Sequence, residues 1–173
     1  PGDPIVIPSL VQKPDYEGEL AVVIGRRGRN IPETNALDYV AGYACMAENS
    51  VRDWQKHATQ ATAGKNFVHS GAFGPWLVTT DEAPLLAEMT VSGRLNGETV
   101  QQDSIANLIF TVPQVIAYLS TFTELLPGDV IATGTPAGVG MSRKPARFLR
   151  EGDVFEVEIS GLGVLRNPVA NDL

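Results

Sequence analysis

A chain of 173 residues with net charge −7 and a pI near 4.8 offers no basic stripe to lay along phosphates, which argues against a nucleic-acid partner. Its single cysteine, Cys45, excludes an internal disulfide, and with His57 and His69 the only histidines, the composition argues against a Cys/His zinc site. With 43% hydrophobic residues, 17 Gly and 12 Pro, and no apolar run near the roughly 18 residues a membrane span needs, it reads as one turn-rich globular domain over residues 1–173, without a transmembrane helix or signal peptide.

The expected compartment is a reducing cytoplasm. The chain opens at "PGDPIVIP" without methionine, so an N-terminal segment is expected to be missing from the sequence.

Residues 4–8 and 16–25 read as strands, with "RRGRN" a polar turn after the second. "IPETNALDYVAGY" predicts a short helix from Pro32 to a stop at Gly42, with apolar spacing at Ala36, Leu37, Val40 and Ala41. "YACMA" is a strand candidate. "SVRDWQ" then opens with Ser50 and Asp53 three places on, a capping-box pattern for a new helix that leaves Glu48 at a strand-to-helix junction.

"AEMTVSGRLNGETVQ" is a hairpin with Asn96-Gly97 at its tip. "TVPQVIAYLSTFTELL" predicts the longest helix, with Pro113 in its first turn and a core stripe of Val115, Ile116, Leu119 and Phe122. The strand "DVIAT", the loop "GTPAGVG" and a final hairpin, "DVFEVEISGLGVLRNPV", complete a mainly β, single-domain reading with two or three short helices.

The most informative stretch is "PDYEGELAVVIG", residues 14–25. Strand side chains alternate, so Glu17 and Glu19 share a face with Ala21 and Val23, roughly 7 Å apart along the backbone, while Tyr16, Leu20, Val22 and Ile24 take the other face. An exposed strand end would leave two carboxylates in water. If protein covers the Ala21/Val23 face, two desolvated carboxylates there call for a cation or a base.

Three further features carry chemistry. The loop "TGTPAGVG" fits neither standard nucleotide pattern; it is either a tight turn or a small carboxylate cradle built from amides and the Thr135 hydroxyl. Arg52, Gln55 and Lys65 cluster donors after Glu48, and Lys65, between Gly64 and Phe67, is expected to be half-buried and to pair with acids or meet a substrate anion. His57 and His69 have no evident partner and read as surface or structural residues.

Glu17-Gly18-Glu19, then "GYACMAENSVRDWQ", "GKNF", "GAFGPW", "PGDVIATGTPAGVG" and "GDVFEVEISGLGVLRNPV" follow one another in an order that resembles the catalytic domain of the fumarylacetoacetate hydrolase family. Within it, the bacterial branch of 2-hydroxyhepta-2,4-diene-1,7-dioate and 5-carboxymethyl-2-hydroxymuconate isomerases is nearest. The resemblance runs from about residue 3 to residue 169. It implies a strand-rich mixed β-roll with a few short helices, assembled as a homodimer.

It also implies that Glu17 and Glu19 are metal ligands. The third family ligand is the aspartate of an N-D pair, which here reads Ala47-Glu48, so Glu48 takes that place with one methylene more. Gln55 and Lys65 match positions that face the substrate, Thr135 matches the loop residue that holds a substrate carboxylate, and Gly134 and Arg52 are further substrate-binding candidates.

Three carboxylates without nitrogen or sulfur ligands suit Mg²⁺, Mn²⁺ or Ca²⁺. The implied activity is isomerisation or hydration of an enolisable 2-oxo acid in aromatic-compound catabolism. C–C hydrolysis and oxaloacetate-type decarboxylation are the alternatives on the same scaffold. A relative that lost its metal through the Ala47-Glu48 change, or an acidic binding module, are the non-catalytic ones. In hydrolytic family members a histidine and a glutamate from a lid before the E-x-E strand activate water, and neither His57 nor His69 matches those positions.

Overall fold

The structure is a computed structural model and describes residues 1–172. Eleven strands are arranged in three sheets among the described residues: β1 (Ile5–Ile7), β2 (Pro14–Asp15), β3 (Gly18–Ile24), β4 (Val40–Ala47), β5 (Ser50–Val51), β6 (Ala72–Thr79), β7 (Thr90–Leu95), β8 (Glu98–Ser104), β9 (Val130–Ala132), β10 (Val154–Ile159) and β11 (Gly163–Asn171). The helices are short: α1 (Arg52–Gln55), α2 (Thr62–Lys65) and α3 (Val112–Phe122). The result is the expected strand-rich mixed fold with few helices. No helix among the described residues is long and apolar enough to cross a membrane.

One sheet runs β1-β11-β10-β7-β8 and the second β6-β4-β3-β9, with β2-β5 as a small separate pair. Every pairing is antiparallel except β1 with β11, so the first sheet is mixed. Residues of β3 and β4 pack on β7 and β10, which brings the two large sheets face to face. Tyr16, Leu20, Val22 and Ile24 enter the core from one side, and Phe155, Val157 and Ile159 from the other, with the Tyr16 and Phe155 rings 5.4 Å apart. Each such side chain contributes about 1.5 to 3 kcal/mol on leaving water.

β3 lies between β4 and β9 and is buried along its whole length. The second face of β3, carrying Ala21 and Val23, is therefore covered too. That is the condition under which carboxylates on this face need a partner.

The Asn96-Gly97 hairpin and the strands at both ends of the chain form where the sequence places them. Three local expectations fail. The segment after Pro32 makes a 3₁₀ helix, Glu33–Tyr39, and Val40 already has extended backbone, so Gly42 is a β4 residue and stops no helix. Its small size serves strand packing: a Cβ there would stand 2.2 Å from the Val78 carbonyl oxygen.

Ser50 caps nothing. It lies in β5 with its hydroxyl buried and unpartnered, while Asp53 accepts from the backbone N–H groups of Gln12 and Lys13, both at 3.1 Å. A capping box does form at Thr111 and Gln114, opening α3.

The buried stripe of α3 is Val112, Ile116 and Ser120, with Val115 and Leu119 half-buried beside it, whereas Phe122 is 63% exposed. The rotation follows from a polar contact that apolar periodicity overlooks. Ser120 accepts from the Ile31 N–H at 2.9 Å and donates to the Ala117 carbonyl, so a serine occupies the inward face.

Candidate metal centre and active site

The β3–β4 ladder pairs Gly18 with Ala47, which sets the residues after β4 beside those before β3. The Glu48 N–H donates to the Glu17 carbonyl at 3.0 Å, and the Glu17 N–H donates to Asn49 Oδ1 at 3.2 Å. Asn49 is itself held by donation to the Ser70 carbonyl. This clamp brings carboxylate oxygens of Glu17, Glu19 and Glu48 within 4.8 Å of one another. The longer side chain of Glu48 thus reaches the same cluster as the two strand acids.

The charges around the cluster are unevenly shared. Lys65, at the end of α2, donates to Glu17 Oε2, to Glu48 Oε2 and, at 2.8 Å, to the Glu48 carbonyl. Arg52 sits between Asp15 and Glu17, with Nε donating to Asp15 Oδ2 at 2.9 Å and Nη2 ion-paired with Glu17 Oε1. Its Nη1 donates to Gln55 Oε1 at 3.1 Å. Glu19 has no ion pair among the described residues, only the Gly134 N–H at 2.8 Å.

Burial pushes the Glu19 carboxyl up to about 7; the Gly134 N–H opposes this, and the charges of Glu48 and Glu17 outweigh the help of Lys65. For Lys65 burial favours the neutral amine, but Glu17 and Glu48 prevail and raise its affinity for the proton. Three acids with oxygen donors only, one of them buried without a counter-charge, form a donor set that fits a hard divalent cation.

The loop after β9 is a carboxylate cradle, but the carboxylates it holds belong to this chain. Gly134 serves Glu19. The N–H groups of Gly140 and Met141 donate to Asp15 at 2.7 and 3.0 Å. Position 140 must be glycine for this approach, since a Cβ would stand 1.9 Å from the Arg147 carbonyl oxygen and 2.6 Å from Asp15 Oδ1. Thr135 donates to the Gly18 carbonyl at 3.0 Å and accepts from Gln101 Nε2 at 2.7 Å. Gln101 in turn accepts from the Gly18 N–H at 3.0 Å, which ties the loop to the strand that carries the acids.

Every candidate residue read from the sequence therefore lies in or next to the cluster. His57 and His69 do not: both are exposed, and His57 packs on the Trp54 ring.

Three contributors escaped sequence reading. Asp15 had a signal, because it continues the alternation Asp15, Glu17, Glu19 by one step. Asn49 adjoins Glu48 but has no pattern of its own. Gln101, 83 residues from Gly18, had none.

One cavity opens at the cluster and a second adjoins it behind Gly134. The first, of about 360 Å³, is lined by Glu48, Lys65, Asn66 and Phe73 among others. The second, of about 370 Å³, has Thr133 to Ala137 along one wall and thus meets Glu19 through Gly134.

Residues 1–170 match the family described as fumarylacetoacetate (FAA) hydrolase C-terminal. The mitochondrial oxaloacetate tautomerase of Xenopus laevis is 45% identical over 171 residues, covering 98% of this chain and 54% of that protein. A solved fumarylacetoacetate hydrolase from psychrophilic Exiguobacterium antarcticum superposes with a TM-score of 0.94 at 42% identity, covering 99% of this chain and 62% of the other. A 5-carboxymethyl-2-hydroxymuconate delta-isomerase from Mycobacterium smegmatis gives 0.91 at 32% identity, covering 100% and 65%. The chain thus spans between about half and two thirds of the length of these relatives. Matched over nearly its full length by the family pattern and by relatives of high identity, the chain belongs to the fumarylacetoacetate hydrolase C-terminal family.

Proposed function

We propose that this chain carries the active site of a divalent-metal-dependent enzyme that moves a proton on an enolisable 2-oxo acid, as a keto–enol tautomerase or double-bond isomerase. The observation that carries the reading is the set Glu17, Glu19 and Glu48, of which Glu19 is buried with no cation opposite it. Two relatives support proton transfer as the chemistry, one with oxaloacetate tautomerase and one with delta-isomerase in its name.

Glu17, Glu19 and Glu48 would hold the cation. When bound, it would polarise the carboxylate and keto oxygens of a chelating 2-oxo acid and lower the energy of the enolate. The rest is the work of this chain's own groups. Arg52, held by Asp15, fixes the orientation of Glu17, and Gly134 fixes that of Glu19. Lys65 lines the first cavity as a protonated ammonium, placed to set positive charge beside an oxygen where negative charge develops. Gln55 is anchored by Arg52 through its carbonyl oxygen, which leaves its NH₂ for a substrate oxygen.

The test is the thermal midpoint with and without Mg²⁺ or Mn²⁺, then with oxalate as a planar mimic of the enolate, in wild type and Glu48→Ala. A ligand at about 100 times its dissociation constant adds roughly 2.7 kcal/mol, a shift of several degrees. Metal raises the midpoint, oxalate raises it further, and Glu48→Ala loses both shifts. A flat response in wild type overturns the proposal. Ultraviolet assays of enol decay then separate tautomerisation from C–C hydrolysis, which releases two products.

A further inference from the structure

The cavity at the cluster and the one that adjoins it behind Gly134 lack what an extended diacid needs. The cavity beside Gly134 has a wall formed by residues 103–110, opposite the loop of Thr133 to Ala137, and is largely apolar through Ile105, Leu108, Phe110 and Val115. Among its described lining residues there is no lysine, arginine or histidine, and Asp103 is the one ionisable group.

Asp103 is built to stay charged. Its Oδ1 accepts from Asn107 Nδ2 at 2.7 Å and from the Ser104 N–H at 2.8 Å, and these bonds hold its carboxyl below the usual range. The cavity beside Glu48 does contain a cation, Lys65, but that ammonium is already bonded to Glu17 and Glu48. A carboxylate at the far end of a chelated substrate would therefore lose water without gaining a counter-charge on either side.

We propose that the cavity beside Gly134 receives the far end of the substrate, and that Asp103 selects there for a neutral, largely apolar tail over a second carboxylate. The inference rests on the 2-oxo acid reading above and narrows it. A short diacid such as oxaloacetate keeps both carboxylates within two carbons of the keto group and stays at the cluster. An extended diacid of the hydroxymuconate kind places its second carboxylate against Asp103. Like charges a few ångströms apart at a partly wet protein surface repel enough to cost roughly tenfold or more in affinity.

The experiment is calorimetric titration of the chain in Mn²⁺ with three probes: oxalate, 2-oxohexanoate and 2-oxohexanedioate. The latter two share a carbon skeleton and differ only at the far end. Wild type, Asp103→Asn and Asp103→Lys are compared; the side chain is half-buried at a strand end, so neither change opens the core.

Wild type binds the monoacid roughly tenfold more tightly than the diacid. Asp103→Asn narrows that ratio several-fold, Asp103→Lys reverses it, and oxalate binds all three alike. If wild type takes the diacid as tightly as the monoacid, or if neither variant moves the ratio while oxalate still binds, the selection is wrong and the enzyme reading survives. If oxalate fails to bind wild type, the enzyme reading falls and the selection with it.

Discussion

Two regions of the molecule use the same residue types to opposite ends. On the five-stranded sheet, Arg94 donates to Glu156 at 3.1 Å and pairs with Glu158, and Arg166 stands 3.3 Å from Glu156. At the cluster, Arg52 and Lys65 meet Asp15, Glu17 and Glu48. By composition the two are alike, but the sheet ladder draws its acids and bases from neighbouring strands, whereas the cluster bases come from α1 and α2.

What also differs is water. Along the sheet ladder exposure runs from 20% at Glu156 and 24% at Arg94 to 44% at Glu158 and 63% at Arg166, whereas at the cluster Asp15 is at 0% and Arg52 and Glu17 at 8%, with only Lys65 and Glu48, at 17% and 27%, on its open side. The sheet ladder is screened and adds little. The cluster has lost hydration, so each charge there needs a fixed partner. Glu19 is the acid that lacks one, and that imbalance marks the functional region.

The contrast predicts effects of decreasing size. Asp15→Asn removes the negative charge and one of the two acceptor oxygens that serve Arg52, Gly140 and Met141, and it is expected to destabilise the fold by about 3 kcal/mol or more in urea titration, because a buried guanidinium loses its counter-charge. It also loosens Glu17, so the metal-induced shift in midpoint shrinks. A variant as stable as wild type would break the comparison.

Glu19→Gln is expected to act in the other direction. The folded chain holds a proton on Glu19 up to about pH 7, above the usual carboxylate value of 4.5, so the folded state binds the proton more tightly than the unfolded state does. This group's contribution is therefore most favourable at acid pH and is lost as pH rises toward 7. The metal-free variant should be more stable than wild type at pH 8 by about 1 to 3 kcal/mol, and its midpoint should vary less between pH 5 and 8. It should also lose its response to Mn²⁺. A pH profile that is the same in both proteins would show that Glu19 is compensated.

Arg94→Ala, from the half-buried sheet ladder, is the control. It should cost about 1 kcal/mol or less, with the difference fading in high salt.

Much of this was legible before the fold was known. The alternation through Glu17 and Glu19, the Asn96-Gly97 tip and the apolar repeats of the last hairpin follow from local backbone geometry, which a sequence records directly. The motif order carried the family, and with it Glu48 and Lys65. Local rules misread the Pro32 segment, where strand pairing took Val40 to Gly42 out of a helical pattern, while "YACMA" after it forms the strand it was read as. They misread Ser50 as a cap because its capping acceptor, Asp53, is claimed by the backbone of Gln12 and Lys13.

The sequence by itself determined most of the strands, though not β2, β5 or β6, together with the acids that share a face and the type of metal they suit, because these depend on residue chemistry and on a period of two. Only the tertiary structure decided which acid is left unpaired. Lys65 meets Glu17 across 48 positions, Gly134 meets Glu19 across 115, and Gln101 meets Gly18 across 83. Partners so far apart are chosen by how two sheets pack and how much water that packing removes. Neither quantity is a property of a local stretch of chain.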